Sequence, residues 1–422
     1  MRMWHFPSRQ NPRSDDAMAR ILFLCSSLEA GKDGVGDYTR CLAQECVAQG
    51  NSVELIALYD RKVSEVKDEL DRSPMGSLSA LRLPASLSWE QRMAFVQRRR
   101  NASRPDWISL QYSGYGFHSQ GLAHVLSHHL KPLRQATKLH IMFHELWLGA
   151  HPTESLKERT LGRIKRRGVQ QMLMALKPEV IHTSNTTYKN SLMGLGADAY
   201  VLPLFGNIPL STHNADRWLY SRINEKGFSI DWQTRSQYWL FGLFGSIQKE
   251  WNPEPLLKAL REVADTYQKQ IILVSMGRMG VGEAIWDRIA ESHSEYFGFL
   301  KLGEQEPEHI SEVLFSLDFG IATTRYSVIE KSGTAVAMCE HGLPVIVCHK
   351  DVKNVALNME GVFCLDSPDF REQLTQRHIH FVEEESRVGG GVGTQSRVTA
   401  RVPQSRLAAV AQRFLEDLNT KA

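Results

Sequence analysis

The sequence has 422 residues, of which 42% are apolar, and its formal net charge at pH 7 is +3. A chain of this length exceeds the size at which one hydrophobic core usually keeps growing, so two domains are expected. No apolar run approaches the roughly 18 residues that a membrane-spanning helix needs, which excludes a protein built from such helices. The composition therefore predicts a water-soluble protein of two domains.

The N-terminal segment and the cysteines indicate in which cellular compartment the protein is located. Residues 1–18 carry arginines but lack the apolar core of a signal peptide, so they are predicted to form a disordered tail. The six cysteines include no CxxC pair and lie mostly among apolar residues. This pattern favours buried, reduced thiols over disulfides or a metal site, and it predicts a cytoplasmic protein without a bound metal.

Short apolar runs alternate with longer amphipathic stretches from residue 20 onward, which is the pattern of a parallel sheet wound with helices. The predicted strands are residues 21–25, 53–58, 107–111, 139–143, 180–183, 200–202, 239–243, 271–275, 319–322 and 344–348. They divide the chain into two Rossmann-like α/β domains. The predicted bounds are 19–208 for the first domain, 209–236 for an interdomain connection, 237–385 for the second domain, 386–403 for a flexible Gly-rich segment and 404–422 for a C-terminal helix.

The first candidate site is the loop after the first predicted strand, which contains Gly34, Gly36 and Asp37. The glycines permit close approach of the backbone, and a helix that begins near Val35 would direct free N–H groups and its positive dipole end at an anion. The loop is therefore interpreted as a phosphate cradle. A tight turn without a ligand is the alternative, because this loop lacks the spacing of a Walker loop.

The second candidate is His144, which follows the predicted strand 139–143 and precedes Glu145. Open α/β sheets bind ligands at the carboxyl ends of their strands. An imidazole there can hydrogen-bond a substrate hydroxyl or transfer a proton near neutral pH, so His144 is a candidate catalytic residue. The alternative is a packed histidine with a structural role.

The third candidate follows the first predicted strand of the second domain and consists of Gly245, Ser246 and Lys249. The glycine gives access to the backbone, and the two side chains can donate hydrogen bonds to a diphosphate. A solvated lysine on a surface turn is the alternative.

The fourth candidate is the start of a helix of small residues, at Ser332, Gly333 and Thr334. The helix is predicted to end at Gly342, before a strand that begins at Pro344. Small residues in the first turn leave room for a ligand, which hydroxyl and N–H groups there can bind.

Taken in order, these motifs resemble the GT-B glycosyltransferases of the group 1 (family 4) type. The landmarks are the glycine loop at 34–38, His144, the phosphate loop at 245–249 and the run His341-Gly342-Leu343-Pro344-Val345. The resemblance covers about residues 20–385. It implies two Rossmann-like domains that face each other across a cleft and clamp a nucleotide sugar, with the nucleotide mostly on the second domain and the acceptor on the first.

The resemblance also assigns individual roles. It implies that Gly36 faces the donor diphosphate and that Ser246 and Lys249 stand where the family usually has an Arg and a Lys. The missing arginine leaves part of the phosphate charge unassigned, and Arg278 is a candidate substitute. Glu330 lies near the first of the family's paired glutamates and is a candidate catalytic residue. The second glutamate is absent, so a ribose-binding carboxylate is lost.

A capping box at residues 155–158 begins a basic helix. Its arginines are predicted to share one face of the helix: Arg159, Arg163, Arg166 and Arg167. Three apolar residues are predicted on the opposite face: Leu161, Ile164 and Met172. In GT-B enzymes that use lipid-linked acceptors, such a helix can rest on anionic lipid headgroups. A solvated face is the alternative.

The predicted function is transfer of a hexosyl unit from a nucleoside diphosphate sugar to a hydroxyl acceptor, a glycan or a lipid-linked molecule, in surface-glycan biosynthesis. The resemblance implies retention of anomeric configuration. The nucleotide sugar is a substrate, so no cofactor is expected, and no nucleic acid partner is expected. The alternatives are a sugar-nucleotide 2-epimerase or a sugar phosphorylase of the same fold, and a catalytically degenerate nucleotide-sugar-binding scaffold. The expected location is the cytoplasm, with peripheral contact to the inner face of the membrane as an option.

Overall fold

The computed structural model describes residues 18–73, 76–147, 156–211, 216–348, 359–367 and 403–420, with residues 370, 372 and 374 in addition. The tail predicted over residues 1–18 lies outside the described residues apart from Met18. The Gly-rich segment predicted over 386–403 lies outside them apart from Pro403, and Ser155 of the capping box does as well.

The first domain is built on a mostly parallel sheet. Its strands are β1 (Arg20–Cys25), β2 (Ser52–Asp60), β3 (Lys67–Ser73), β4 (Gly76–Pro84), β5 (Trp107–Tyr112), β6 (Lys138–Phe143), β7 (Val180–Thr183) and β8 (Tyr200–Val201). Their order is β3-β4-β2-β1-β5-β6-β7-β8. Every pairing is parallel except that of β3 with β4. The central strand β1 is buried from its second residue onward, as expected for a parallel strand covered on both faces.

The sequence does not predict β3 and β4. The strand β3 is polar throughout except for Leu70, which is exposed, and it pairs on one side only. In β4 the residues Leu78 and Leu81 face different sides of the sheet and are separated by small and polar residues. Neither strand therefore contains the continuous apolar run that marks a buried parallel strand.

Helices cover both faces of this sheet. They are α1 (Gly34–Ala48), α2 (Trp89–Ser103), α3 (Gly114–Phe117), α4 (Ala123–Leu130), α5 (Leu156–Leu176) and α6 (Thr186–Met193). The helix α1 follows β1 and buries Tyr38, Leu42 and Cys46, which recur every fourth residue and so form one stripe toward the sheet.

The second domain has a smaller parallel sheet. Its strands are β9 (Tyr238–Phe244), β10 (Gln270–Met276), β11 (Phe297–Gly303), β12 (Phe319–Ala322), β13 (Val345–Val347) and β14 (Val362–Cys364), in the order β11-β10-β9-β12-β13-β14. The helices of this half are α7 (Asp216–Asn224), α8 (Glu254–Tyr267), α9 (Glu283–Ser292), α10 (Pro307–Ser316) and α11 (Gly333–Glu340). The sequence does not predict β11, which glycines interrupt, or β14, which has three residues.

The connection predicted over 209–236 packs against the second domain. In α7 the ring of Trp218 stacks on His309 of α10, with centroids 5.3 Å apart. Arg235 forms a buried ion pair with Asp318, at 2.8 Å between Nη2 and Oδ2. These contacts fix the described part of the connection to the domain that follows it.

The last helix, α12 (Leu407–Thr420), returns to the first domain. Its Phe414 is fully buried, and the ring centroid lies 5.7 Å from that of Phe23 in β1. Val410 and Leu418 join the same apolar cluster as Leu42 of α1. The first domain is therefore completed by residues that follow the second domain in the chain.

Within the described ranges, no helix has both the length and the apolar composition that crossing a bilayer requires. All six cysteines are free thiols. Burial raises the pKa of Cys41 to about 11 and that of Cys348 to about 12, so neither is a thiolate at neutral pH.

Candidate functional site

The loops at the carboxyl ends of the two sheets meet. Lys32, in the loop after β1, has its Nζ 3.3 Å from Oε2 of Glu304, which follows β11. Arg278, which follows β10, donates a hydrogen bond to the carbonyl oxygen of Gly31. Because open α/β sheets bind ligands at this edge, the loops define an interdomain candidate site.

His144 lies where the sequence predicts it, directly after β6. Its Nε2 is 2.9 Å from Oε1 of Gln111 in β5, and its ring packs edge-on against Tyr38 with centroids 4.8 Å apart. Since an amide oxygen only accepts, Nε2 carries the proton and Nδ1 is left as an acceptor. Burial lowers the pKa of His144 to about 3, so the imidazole is neutral at pH 7. A neutral imidazole is suited to accept a hydrogen bond from a hydroxyl and poorly suited to donate a proton.

Two carboxylates, those of Glu145 beside His144 and of Asp33, lie close enough for their charges to interact. The neighbouring Glu145 accepts a hydrogen bond from Oγ of Ser113 at 2.8 Å. Burial raises the pKa of Asp33, and the charges of Asp60 and Glu145 add to this effect. Carboxylates accept hydrogen bonds from hydroxyl groups and repel phosphates, so this pair is suited to a sugar or another polyhydroxyl group.

The protein itself caps the N-terminus of α1. Asp33 accepts hydrogen bonds from the N–H groups of Val35 and Gly36, at 3.0 and 2.9 Å. The prediction that these N–H groups are free to bind an anion is therefore wrong, because an acidic side chain already occupies them. Asp37 is also engaged, since its Oδ1 accepts from the N–H of Gly31 at 2.9 Å.

The two glycines of this motif have different surroundings. A Cβ atom on Gly36 would lie 2.4 Å from the carbonyl oxygen of Ser27, so this position requires glycine in order to pack against the loop after β1. Gly34 faces open space. The predicted contact of Gly34, Gly36 and Asp37 with a donor stays a prediction.

A buried ion pair that the sequence does not predict holds the loop after β1. Asp60, at the end of β2, accepts hydrogen bonds from Oγ of Ser27 at 3.0 Å and from the N–H of Leu28 at 3.3 Å. Arg82 of β4 donates to the same carboxylate at 2.8 Å and also pairs with Glu29. Although burial opposes it, hydrogen bonding to Arg82 lowers the pKa of Asp60. The one signal in the sequence is a carboxylate close behind a predicted strand.

The two motifs of the second domain come together. Gly245 follows β9 with a φ of +78°, and a Cβ atom there would lie 2.8 Å from Cγ2 of Thr334 in α11. Ser332 caps α11 by accepting from the N–H of Ala335 at 3.4 Å. Among the described residues, the N–H groups of Gly333 and Thr334 have no acceptor, and Gly333 faces open space. An anion can therefore reach the positive end of this helix.

Ser246 and Lys249 lie exposed on the loop after β9. The N–H of Gln248 in this loop donates to Oγ1 of Thr323 at 3.1 Å. Thr323 directly follows β12, the strand next to β9. The sequence does not single out Thr323, although its position after a predicted strand could have identified it. Lys249 has no acidic partner in the part of the chain that the structure describes, so its ammonium group is available to an anion.

Glu330 is buried in a 3-10 turn between β12 and α11. The N-terminal part of α6 contacts the same turn, where Oγ1 of Thr187 donates to the carbonyl oxygen of Ser327 at 3.2 Å. Nζ of Lys331 donates to the hydroxyl of Tyr188 at 3.2 Å. The turn that carries Glu330 thus lies at the interface with the first domain.

Glu340 is a structural residue. It accepts hydrogen bonds from the N–H groups of Gly206, where the chain leaves the first domain, and Arg406, where the chain returns to it. Burial raises the pKa of Glu340. Glu340 therefore connects the two segments in which the chain passes between the domains. It does not replace the missing second glutamate.

Arg278, the candidate substitute for the missing arginine, connects the domains. Its Nε lies 3.4 Å from Oε2 of Glu304, so its charge is shared with a carboxylate. A Cβ atom on the preceding Gly277 would lie 3.4 Å from the backbone of Gly245. The residue is thus close to the phosphate loop, while its side chain is turned toward the other domain.

The helix α5 differs from its prediction in one respect. Arg163, Arg166 and Arg167 are exposed, as predicted, and Arg159 has a side chain outside the described part of the chain. Ile164, which is predicted to lie on the face opposite the arginines, has a side chain that is 51% exposed, so that face is not buried at this position. The buried stripe runs through residues 169, 172 and 176, and Ile164 lies beside that stripe.

No family model matches the sequence, and no curated protein matches it in sequence. Solved structures do match nearly the whole chain. The catalytic domain of starch synthase IV from Arabidopsis thaliana, bound to ADP and acarbose, has a TM-score of 0.60 at 12% identity over 96% of this chain and 99% of that chain. HepE of Anabaena in complex with UDP has a TM-score of 0.53 at 14% identity, over 95% and 100% of the two chains. The α,α-trehalose 6-phosphate synthase of Burkholderia multivorans has a TM-score of 0.52 at 10% identity, over 96% and 99%.

These similarities identify the fold as GT-B, with two α/β domains, each on a parallel or mostly parallel sheet. The fold class predicted from the sequence is confirmed. At these identities the likeness establishes the fold, and the assignment to the group 1 (family 4) type stays a prediction.

Proposed function

We propose that this protein is a glycosyltransferase of the group 1 type, which transfers a hexosyl unit from a nucleoside diphosphate sugar to a hydroxyl acceptor. The observation that carries the proposal is the meeting of Gly245 and Thr334 at the N-terminus of α11. The proposal combines this helix end with His144 in one site, in which Glu145, the neighbour of His144, lies close enough to Asp33 for their charges to interact. The starch synthase IV structure contains ADP, and HepE has been solved with UDP-glucose, which supports a nucleotide sugar as the donor.

In this proposal the second domain binds the donor diphosphate. The N–H groups of Gly333 and Thr334, the hydroxyl groups of Ser246 and Ser332 and the ammonium group of Lys249 stabilise the leaving group. Negative charge develops on the departing diphosphate, so donors already positioned there lower the energy of the transition state.

The first domain binds the sugar and the acceptor. Nδ1 of His144 accepts a hydrogen bond from a hydroxyl of the transferred sugar. Glu330, which belongs to the second domain, acts near the reacting carbon. Glu145 orients the acceptor, which is a glycan or a lipid-linked molecule. Retention of anomeric configuration rests on the resemblance to the group 1 type. Closure of the domains excludes the water that would hydrolyse the donor.

The test is a thermal-shift screen of nucleoside diphosphates and their sugars, since a ligand that binds only the folded state raises the melting temperature. At least one nucleotide should stabilise the protein, by about 2.7 kcal/mol at a concentration of 100 times its Kd. Lys249→Ala should weaken binding by about 1.5 to 3 kcal/mol, the range for a charge-assisted hydrogen bond. Lys226→Ala, which changes another exposed lysine, is the matched control. No stabilisation by any nucleotide would contradict the proposal, and an unchanged Kd in Lys249→Ala would remove that residue from the site.

Incubation with the stabilising nucleotide sugar separates the remaining candidates. Isomerisation of the sugar without an acceptor would indicate a 2-epimerase, and dependence on inorganic phosphate would indicate a phosphorylase. Binding without turnover would indicate a scaffold, which the missing second glutamate and the absence of an arginine at Ser246 favour.

We also propose that α5 contacts the anionic inner face of a membrane, which would make the protein cytoplasmic and peripheral. Arg163, Arg166 and Arg167 supply the positive charge. Ile164 and Met174, which are 51% and 68% exposed, supply apolar side chains on the same solvent-facing side. Basic and apolar side chains together are the composition of helices that lie in a membrane interface.

A further inference from the structure

A chain of hydrogen-bonded side chains runs through the first domain from the candidate site to α12. Its members come from β5, β6, β7 and α12, together with the residue after β6, and all are buried: His144, Gln111, Ser109, His140, His182 and Asp417. The successive donor–acceptor distances are 2.9, 2.8, 2.8, 3.0 and 3.0 Å. The strand register brings two members together directly, since Ser109 pairs with His140.

The direction of each hydrogen bond is set from the end at α12. The carboxylate of Asp417 only accepts, and Nε of Arg413, one turn earlier, donates to it at 3.0 Å. Nε2 of His182 must therefore carry a proton and donate to Asp417. In a neutral His182, Nδ1 is then an acceptor, which receives the Nε2 proton of His140. By the same argument, Nδ1 of His140 accepts from the hydroxyl of Ser109.

The same direction continues into the candidate site. Ser109 gives its one proton to His140, so its oxygen accepts from the amide nitrogen of Gln111. With its nitrogen engaged by Ser109, Gln111 presents its oxygen to His144. Nε2 of His144 must then donate, which leaves Nδ1 without a proton.

We propose that Asp417 is a positioning residue that fixes the tautomer of His144 through the four side chains between them. The C-terminal helix thereby decides which ring nitrogen of His144 can accept a hydrogen bond in the site. The effect on catalysis rests on the proposed function, whereas the tautomer itself does not. If the chain only satisfied buried polar groups, its removal would lower stability and leave the tautomer unchanged.

The test is nitrogen-15 NMR of the full-length protein with labelled histidines, because the chemical shift of a ring nitrogen shows whether it is protonated. The loss of a signal in His144→Gln assigns His144. In the wild-type protein, Nε2 of His144 should be protonated and Nδ1 bare. Asp417→Ala removes the acceptor that sets the direction, and should shift the tautomer ratio of His144 at least about five-fold, the effect of one typical net hydrogen bond. An unchanged ratio in folded Asp417→Ala would overturn the proposal.

Three further variants keep the test decisive. Glu416→Gln changes an exposed neighbour on α12 and should leave the ratio unchanged, so an equal shift there would overturn the proposal. Ser109→Ala interrupts the chain close to His144, whereas Ser109→Thr keeps the hydroxyl. The ratio should shift in the first and not in the second, and this comparison applies even where Asp417→Ala fails to fold. Equal ratios in the two Ser109 variants would overturn the proposal.

Transfer assays separate this inference from the proposed function. With an identified donor, Asp417→Ala should lower kcat while the Kd of the nucleoside diphosphate stays the same. A tautomer shift in a protein whose wild-type form transfers no sugar would support the positioning role and contradict the proposed function.

Discussion

Two substitutions of His144 separate the two roles that an imidazole can have in the site. Asn keeps an acceptor near the position of Nδ1 but cannot transfer a proton, whereas Leu offers neither. Because burial keeps the imidazole neutral, with a pKa of about 3, His144→Asn should lose less than about ten-fold in turnover, roughly one net hydrogen bond. His144→Leu should lose more. Steady-state kinetics that show turnover reduced by about 10²- to 10⁴-fold in His144→Asn would instead indicate general acid–base catalysis.

Buried neutral histidines should lower the stability of the protein in acid. Burial lowers the pKa of His341 to about 4 and that of His144 to about 3, whereas the unfolded chain has a value of about 6.5. Their contribution to stability is complete above pH 6.5. As the pH falls from 6.5 toward these folded-state values, the unfolded state binds protons that the folded state does not. The free energy of unfolding then falls by about 1.4 kcal/mol per pH unit for each histidine.

His341→Gln tests this pH dependence. In the folded protein, His341 donates from Nδ1 to the carbonyl oxygen of Ala337 at 2.7 Å, and its Nε2 lies 2.8 Å from Oγ of Ser311. Burial raises the pKa of Asp33 and Glu340, which favours folding in acid, so the informative quantity is the difference between wild type and variant. Urea denaturation at pH 7 and pH 5 measures how far the free energy of unfolding falls between the two pH values. This fall should be about 2 kcal/mol smaller in the variant than in the wild type. An equal fall in the two proteins would contradict the role of His341 in the pH dependence of stability.

Residues whose roles follow from local position can be predicted from the sequence. His144 stands directly after a predicted strand and Gly245 stands two residues after another, and the structure places each directly after the corresponding strand. Asp60 and Gln111 could not be predicted, because their partners come from other strands whose registers are set by tertiary packing. Asp33 was missed although an N-cap position favours Asp.

The exposed side of α5 can be tested with vesicles. Changing Arg163, Arg166 and Arg167 to Glu should abolish sedimentation with vesicles that contain anionic lipid, since each basic residue near such a surface contributes about 1 kcal/mol. Turnover of a water-soluble acceptor should be unaffected. Equal sedimentation of the variant and the wild type would show that α5 has an ordinary solvated face.

A charge-matched control lies on the second domain. Reversal of the exposed residues Lys226, Lys258 and Arg288 to Glu changes the net charge by the same amount. This variant should sediment like the wild type. If it also failed to sediment, the attraction would belong to the overall charge and not to α5.

Elements with a continuous apolar run are well predicted, and the others are not. The ten predicted strands are all present, with ends that differ by two residues or fewer. The polar edge strand β3 is stabilised by pairing with β4, and its own side chains give no signal. For Ile164, helical periodicity gives its direction around the axis, but the width of the buried stripe depends on what packs against the helix.

The ion pairs between the loops of the two domains are weak and should depend on salt. Lys32 and Arg278 both pair with Glu304, with side chains that are 40 to 58% exposed. Exposed pairs of this kind contribute at most about 1 kcal/mol and are screened by salt. Glu304→Lys should increase the radius of gyration measured by small-angle X-ray scattering at low salt, and high salt should move the wild type the same way. Glu295→Lys, at an exposed position at the other end of β11, is the control, and an unchanged radius in Glu304→Lys would contradict the prediction.

At the scale of the molecule, the alternation of strands and helices predicts two Rossmann-like domains, and the resemblance to the group 1 type implies their GT-B arrangement. The sequence also predicts a helix over 404–422. It does not predict that this helix packs on the first domain, since an amphipathic stripe does not identify its partner.

The first domain is completed only after the second has been synthesised. Until α12 leaves the ribosome, Phe23 lacks the ring of Phe414 and His182 lacks the carboxylate of Asp417. At about 5 to 20 residues per second, translation of the second domain delays α12 by roughly 10 to 40 seconds. During this interval the nascent first domain lacks the apolar side chains with which α12 covers it. A ribosome that stalls just before α12 would therefore release a protein that is defective in the half it made first.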